Sequence, residues 1–182
     1  MTTRKISRMG AKWTTPRYKW DWRNICALLP AYLEDGTNGA LVTYLDGSDE
    51  AVAYRLQWVL DDLLGYLRTS RQVLTSQSKA YLGRQARRVP LVVSPELSLV
   101  PVKGREAIGE YDSINGYVVM EHVEDVISCS GANRIYFTGG SFVAVQDALE
   151  TLWGNLNLTK ELKQKLEEEL QWQSIPLQSP VA

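Results

Sequence analysis

The stretch Asn24–Gly47 reads NICALLPAYLEDGTNGALVTYLDG, two apolar runs on either side of a turn-rich segment. The runs ICALL and ALVTYL have the composition of strands, and DGTNG between them supplies glycine, aspartate and asparagine. Two such runs around a turn of this composition predict a β-hairpin. The pattern therefore favours antiparallel strands over strict alternation of strands and helices.

Further strands follow the same rule. Val89–Val93 and Leu97–Val102 are apolar runs separated by a Ser94-Pro95 turn, and RIYF and SFVAV flank the turn residues Thr138–Gly140. Both patterns predict hairpins. Tyr117–Cys129 alternates between apolar and polar residues and is predicted to be one continuous strand, with an edge or face open to a partner.

Leucines at helical spacing mark the remaining elements. Leu56, Leu60, Leu64 and Leu67 recur at intervals of four and three, which predicts a helix that runs to about Leu74. A second helix is predicted from Val145, Leu149, Leu152 and Leu156. A last helix is predicted to start at a Thr159 cap and to align Leu162, Leu166 and Leu170. The sequence thus predicts an α+β fold, with antiparallel strands and hairpins and with helices grouped at the middle and C-terminus.

Size and composition indicate one folded unit. The chain has 182 residues, of which 45% are hydrophobic and 23% charged, enough apolar material for a single core. We expect residues 1–24 to form a basic, flexible arm, although its four large aromatic side chains could dock. Residues 25–172 are expected to form one α+β domain, and 173–182 a frayed tail.

Two cysteines and the N-terminal residues bear on the cellular compartment. Cys26 and Cys129 are too few for a disulfide framework, so two free thiols buried in strands are favoured over one long-range bridge. The basic N-terminus has no apolar core behind it, and no run approaches the roughly 18 apolar residues of a membrane span. These features predict a soluble, cytoplasmic protein.

Catalytic patterns are scarce in the sequence. His122 is the single histidine. If it lay on a strand, Glu121 would point to the opposite face and only Glu124 would share its side, which is too few ligands for zinc. Gly139-Gly140 lacks the lysine and the following helix of a phosphate-binding loop. We therefore expect a protein that is not an enzyme and that needs no metal or organic cofactor.

The formal net charge of −1 hides a strong segregation. Residues 1–25 carry seven basic side chains against one acid, Asp21, and residues 66–105 carry eight against Glu96. The rest of the chain is correspondingly acidic. One surface of the fold could therefore be strongly basic.

The densest basic stretch is Ser78–Glu96, SKAYLGRQARRVPLVVSPE. Arginine and lysine side chains that converge can bind the phosphates of DNA, and arginine can enter a narrow minor groove. The candidate DNA-binding residues are Lys79, Tyr81, Gly83, Arg84, Arg87, Arg88, Lys103 and Arg105. Among them, Arg84, Arg87 and Arg88 are expected to reach the groove or the phosphates, and Lys79 and Lys103 the phosphates. The basic residues could instead pair with acidic groups of the same chain, and Tyr81 and Gly83 could belong to an ordinary turn.

Several short motifs resemble the competence transcription factor (ComK) family. They are Ala27-Leu28-Leu29-Pro30, Tyr81-Leu82-Gly83-Arg84, Pro90-Leu91-Val92-Val93-Ser94-Pro95, Pro101-Val102-Lys103 and Phe137-Thr138-Gly139-Gly140. Their order and approximate spacing match the family over about residues 25–156. The resemblance implies a multimeric bacterial activator that binds A/T-rich promoter boxes mainly through the minor groove and switches on DNA-uptake genes.

Two hypotheses follow. The first is a transcription regulator that binds A/T-rich double-stranded DNA as a homo-oligomer. Its flexible arm, with Arg4, Lys5, Arg8 and Lys12, would reach into an adjacent groove. The alternative is a protein–protein interaction or oligomerisation module whose basic patch meets an acidic partner.

Overall fold

The strands and helices follow the apolar runs of the sequence closely. The computed structural model describes residues 2–4, 19–83, 88–110 and 112–173. Within these residues the strands are β1 (Thr2–Arg4), β2 (Ile25–Tyr32), β3 (Asn38–Tyr44), β4 (Asp49–Val52), β5 (Leu91–Ser94), β6 (Leu97–Lys103), β7 (Asn115–Val119), β8 (Val123–Ile127), β9 (Asn133–Phe137) and β10 (Phe142–Val145). The α-helices are α1 (Leu56–Tyr66), α2 (Arg71–Leu82) and α3 (Leu149–Gln173). In this part of the chain no helix has the length and apolar character needed to cross a membrane.

The strands form two sheets. The larger has the order β1-β4-β3-β2-β7-β6-β5, and the smaller has the order β10-β9-β8. All neighbouring pairs are antiparallel except β1 and β4. The predicted α+β class is confirmed, and so are the hairpins β2–β3, β5–β6 and β9–β10.

The middle of the larger sheet is buried on both faces, which explains the unbroken apolar run at the start of β2. Ile25 and Leu28 pack into a core with the leucines of α1 and with Leu74 of α2. Ala27 and Leu29 point into a second core, shared with the smaller sheet and the first half of α3. A strand that contacts a core on each side has no solvent face to mark with polar residues.

The structure corrects two helix predictions. The helix expected to run to Leu74 is two helices, because Arg68 has a left-handed φ of 60° and the Ser70 hydroxyl then accepts the Val73 N–H at 3.3 Å to cap α2. The two predicted C-terminal helices are a single one, α3. Thr159 is buried within α3 and donates its hydroxyl to Asn155 O at 2.7 Å, so it is not an N-cap. Val145 belongs to β10.

The stretch predicted as one strand, Tyr117–Cys129, is divided by a 3-10 helix at Met120–His122. The part before it lies in β7, inside the larger sheet between β2 and β6, whereas β8 is an edge of the smaller sheet. An open edge is therefore present only in the second part.

The two cysteines are both free thiols, as expected from the sequence. Cys26 is buried, and burial raises the pKa of its thiol to about 11. Cys129 follows the end of β8 and is half-buried.

The last residues of the predicted arm contact the folded domain, because Trp20 is part of the first core. Trp20 is 6% exposed in the first core, and its indole Nε1 donates to Asp62 Oδ2 at 2.9 Å. Thr2–Arg4 forms β1, while residues 5–18 and the tail 174–182 lie outside the described part. A large buried aromatic ring has enough apolar area to order the chain around it.

Candidate nucleic-acid interface

The basic stretch lies between the end of α2 and the start of β5. Lys79 is exposed in the last turn of α2. Gly83 caps the helix in a left-handed conformation with φ +60°, and its N–H donates to Lys79 O at 2.9 Å. A Cβ added at Gly83 would meet nothing within 4 Å, so its φ angle, rather than a close neighbour, explains the glycine. Arg84 and Arg87 lie outside the described residues.

A buried hydroxyl joins the two ends of this stretch. Ser78, on α2, is 1% exposed, and its Oγ lies 2.5 Å from Pro90 O and 3.0 Å from Leu74 O. The contact holds the last turn of α2 against the residue that precedes β5. Both ends of the segment between Gly83 and Arg88 are therefore anchored to the fold.

Arg88 is bound to a buried acid. Its guanidinium forms two hydrogen bonds with Asp147, at 2.9 Å between Nη1 and Oδ1 and at 3.3 Å between Nη2 and Oδ2. The Asp147 side chain is 4% exposed, and that of Arg88 is 28% exposed. Arg88, which the sequence places among the candidate DNA contacts, is therefore paired inside the fold, with the two hydrogen bonds of a guanidinium–carboxylate pair.

Asp147 lies two residues after β10 and is hydrogen-bonded to three other parts of the chain. Besides Arg88 it accepts the backbone N–H of Lys103 at the end of β6, and its own carbonyl accepts Asn133 Nδ2 from β9 at 2.8 Å. Gln146 N donates to Lys103 O at 2.8 Å. The site therefore links Arg88, three residues before β5, to the ends of β6 and β10 and to the start of β9. No sequence pattern marked Asp147; a buried acid opposite a basic stretch becomes visible only in three dimensions.

The other predicted basic contacts are also engaged. Lys103 Nζ pairs with Glu106 Oε1 at 2.7 Å. The Arg105 guanidinium donates to Asn38 Oδ1 at 2.6 Å and stacks 3.8 Å from the Tyr32 ring centroid. Arg105 is therefore used to fasten the segment after β6 to the β2–β3 hairpin. This arrangement leaves it poorly placed for a phosphate.

Tyr81 has a structural role as well. Its ring is partly buried and packs against a small cluster made by Val92, Leu162 and Leu166. The sequence left open whether Tyr81 contacts DNA or packs against the protein, and in the structure its ring packs against the protein. Lys79 is the candidate residue that the structure describes as an exposed cation. The predicted contacts at Arg84 and Arg87 stay predictions.

The N-terminal arm begins far from this stretch. β1, with Arg4, and β5 are opposite edges of the larger sheet, six strand spacings apart. At about 4.8 Å for each spacing the two edges are roughly 29 Å apart. Arg4 and the start of β5 therefore lie on opposite sides of the larger sheet.

His122 lies in the 3-10 helix between β7 and β8. Its Nε2 is 2.9 Å from Arg23 O. In the described part of the chain no group of three histidine, cysteine, aspartate or glutamate side chains is arranged to hold a metal ion.

His122→Ala is expected to leave folding and DNA binding intact, with a loss of stability of about 1 kcal/mol or less for one exposed hydrogen bond. Thermal melts with and without a zinc chelator test this expectation. Bound zinc in the wild type, together with metal-dependent binding that the variant loses, would contradict it.

The chain matches no protein-family model, no curated protein and no solved structure.

Proposed function

We propose that this chain is a transcription regulator that binds double-stranded DNA through the segment from Lys79 to Arg87. The observation that carries the proposal is that a basic stretch with Arg84 and Arg87 is anchored on both sides, by Ser78 against Pro90 and by Arg88 against Asp147. Anchored ends limit the entropy that the segment loses when it binds. Arg88 serves as the anchor, and Lys79, Arg84 and Arg87 contact the phosphates or the groove.

Preference for A/T-rich sequence follows from the same side chains. The minor groove of A/T-rich DNA is narrow and strongly negative, and it attracts arginine. The resemblance of the motifs Tyr81–Arg84 and Pro90–Pro95 to the competence transcription factor (ComK) family supports this preference. On this basis the protein is a non-enzymatic, cytoplasmic activator of DNA-uptake genes that works as a homo-oligomer.

The rival function is a module that binds an acidic protein partner through the same stretch. The internal pairs of Arg88 with Asp147 and of Lys103 with Glu106 are compatible with it, because they show that other candidate basic residues already pair with acids. Duplex DNA separates the two. Binding that weakens steeply with salt supports the regulator, whereas the rival predicts no binding to duplex at any salt concentration.

We expect Lys79→Ala, Arg84→Ala and Arg87→Ala each to flatten the salt dependence of DNA binding. The loss of one phosphate contact reduces the slope of log K against log salt by about 0.9 on B-DNA. An arginine that reads the minor groove should in addition lower the preference for A/T-rich over G/C-rich duplex. Fluorescence anisotropy on both duplexes at several salt concentrations measures both effects.

Lys160→Ala is the control for the loss of one positive charge, since Lys160 is an exposed cation on α3 that does not belong to the proposed segment. It should keep the wild-type slope of log K against log salt. The free energy of unfolding of all four variants should stay within about 0.5 kcal/mol of that of the wild type. If the three variants bind both duplexes as the wild type does, the segment is not the DNA site.

A further inference from the structure

The smaller sheet has one buried face and one face open to solvent. Val126, Ile135 and Val143 point into the second core. The opposite face carries two cross-strand rows, one formed by Asp125, Tyr136 and Phe142 and the other by Ile127, Arg134 and Ala144. We call these six residues the β8–β10 face.

Apolar and aromatic groups dominate the β8–β10 face. Phe142 is 46% exposed and Ile127 is 43% exposed. The rings of Tyr136 and Phe142 lie 5.2 Å apart between centroids, and Arg134 Cζ lies 4.6 Å from the Phe142 centroid. Aromatic residues and arginine are the side chains that most often carry the energy of protein–protein interfaces. An exposed cluster of this kind marks an interaction surface.

We infer that the β8–β10 face is the surface through which two copies of this chain associate. A two-fold axis that lies between the faces and perpendicular to the strands exchanges the two rows. Tyr136 of one copy then meets Arg134 of the other, and the bulky Phe142 meets the small Ala144. The ring of Tyr136 gains a cation–π contact, which is worth more once water is removed.

The charges of the face also fit a second copy. With the rows exchanged, Asp125 of one copy lies diagonal to Arg134 of the other, so opposite charges approach. The alternative two-fold axis, parallel to the strands, would place Arg134 against itself and is disfavoured. A nucleic acid fits less well, because Asp125 and the exposed Glu124 beside it repel phosphates.

The face is small, so the association should be weak. Six residues bury less than the roughly 800 Å² per partner of a standard interface, and interfaces at the low end of the size range are typically weak and transient. The inference does not depend on DNA binding and is tested without DNA. It names the surface through which the predicted homo-oligomer would form.

Sedimentation equilibrium from about 10 to about 500 µM protein tests the surface. The wild type should shift from monomer to dimer across this range, and Phe142→Ala and Tyr136→Ala should each weaken dimerisation by about tenfold or more. Ile108→Ala is the matched control, since Ile108 is 84% exposed but lies between β6 and β7. It should dimerise as the wild type does.

A charge exchange tests the orientation of the two copies. Arg134→Asp alone should weaken the dimer, and adding Asp125→Arg to it should restore most of the affinity. A wild type that stays monomeric at the highest concentration overturns the inference, and so does a dimer that none of these changes weakens. The inference also fails if the variants stay monomeric like the wild type, melt normally and lose DNA affinity, because the face then contacts nucleic acid.

Discussion

Asp147→Ala is expected to lower the free energy of unfolding by about 3 kcal/mol, one of the two largest effects that we predict for a single side chain. Removing one partner of a buried ion pair typically costs 3–5 kcal/mol. The Arg88 side chain is 28% exposed and can turn part of its charge towards water, which places the expectation at the lower end. The Lys103 N–H loses its acceptor as well.

Substitutions of Arg88 separate the contribution of its charge from that of its two parallel hydrogen bonds with Asp147. Arg88→Ala leaves the Asp147 carboxylate 4% exposed without its counter-ion, so its cost should be similar to that of Asp147→Ala. Arg88→Lys keeps the charge but cannot form two parallel hydrogen bonds, so we expect an intermediate loss. In the double variant the cost should be clearly less than the sum of the single costs, because the two residues share one interaction.

Urea unfolding and thermal melts measure these costs. For a chain of this size, 3 kcal/mol corresponds to a fall of about 6–12 °C in melting temperature. Glu161→Ala is the matched control, since it removes the exposed pair with Lys165 on α3 and should cost less than about 0.5 kcal/mol. If Asp147→Ala and Glu161→Ala cost the same, Asp147 is not a structural anchor.

The same variants also bear on the proposed function. If Arg88 only anchors the segment, Arg88→Ala should leave the slope of the salt dependence unchanged at a temperature where the protein is folded, while it lowers affinity. If Arg88 contacts a phosphate directly, the slope should fall by about 0.9. The two roles of one arginine are thus separated by a single titration.

The hairpins could be predicted from the sequence because their signals are local. An apolar run, a short turn with glycine or proline and a second apolar run occupy about twenty residues in β2–β3, and the same arrangement recurs in β5–β6 and β9–β10. The break between α1 and α2 was missed because the left-handed backbone at Arg68 has no glycine or proline to mark it. Thr159 in turn resembles a cap, but the buried leucines on either side of it keep α3 continuous.

The candidate site could be predicted only as a stretch of chain. Local composition identified the basic residues, but their partners lie far away in the sequence. Asp147 is 59 residues from Arg88, and Asn38 is 67 residues from Arg105. Whether a cation is available to a ligand depends on such distant pairs. Basic composition alone therefore overestimates the number of cations that are available to a ligand.

Trp20→Ala is expected to destabilise the fold by about 3–5 kcal/mol, the usual cost of truncating a buried tryptophan. Its ring is 6% exposed and packs in the first core, in the same cluster as residues of α1, α2 and β2. Its Nε1 donates to Asp62, a carboxylate that is itself only 9% exposed. The truncation would therefore leave a cavity and also remove a donor from a buried acid.

Two further variants separate these contributions and test the boundary of the domain. Trp20→Phe keeps most of the volume and loses the hydrogen bond, so it should cost about 1–2 kcal/mol, less than Trp20→Ala. Trp22→Ala, at a ring that is only half-buried against the same core, should cost less than Trp20→Ala. Urea unfolding of all three variants ranks the costs. If Trp20→Ala is as stable as the wild type, the ring adds nothing to the stability of the domain and the boundary predicted at residue 24 holds. If it melts well below the wild type, the stable domain includes residues that a basic, aromatic composition assigned to an arm.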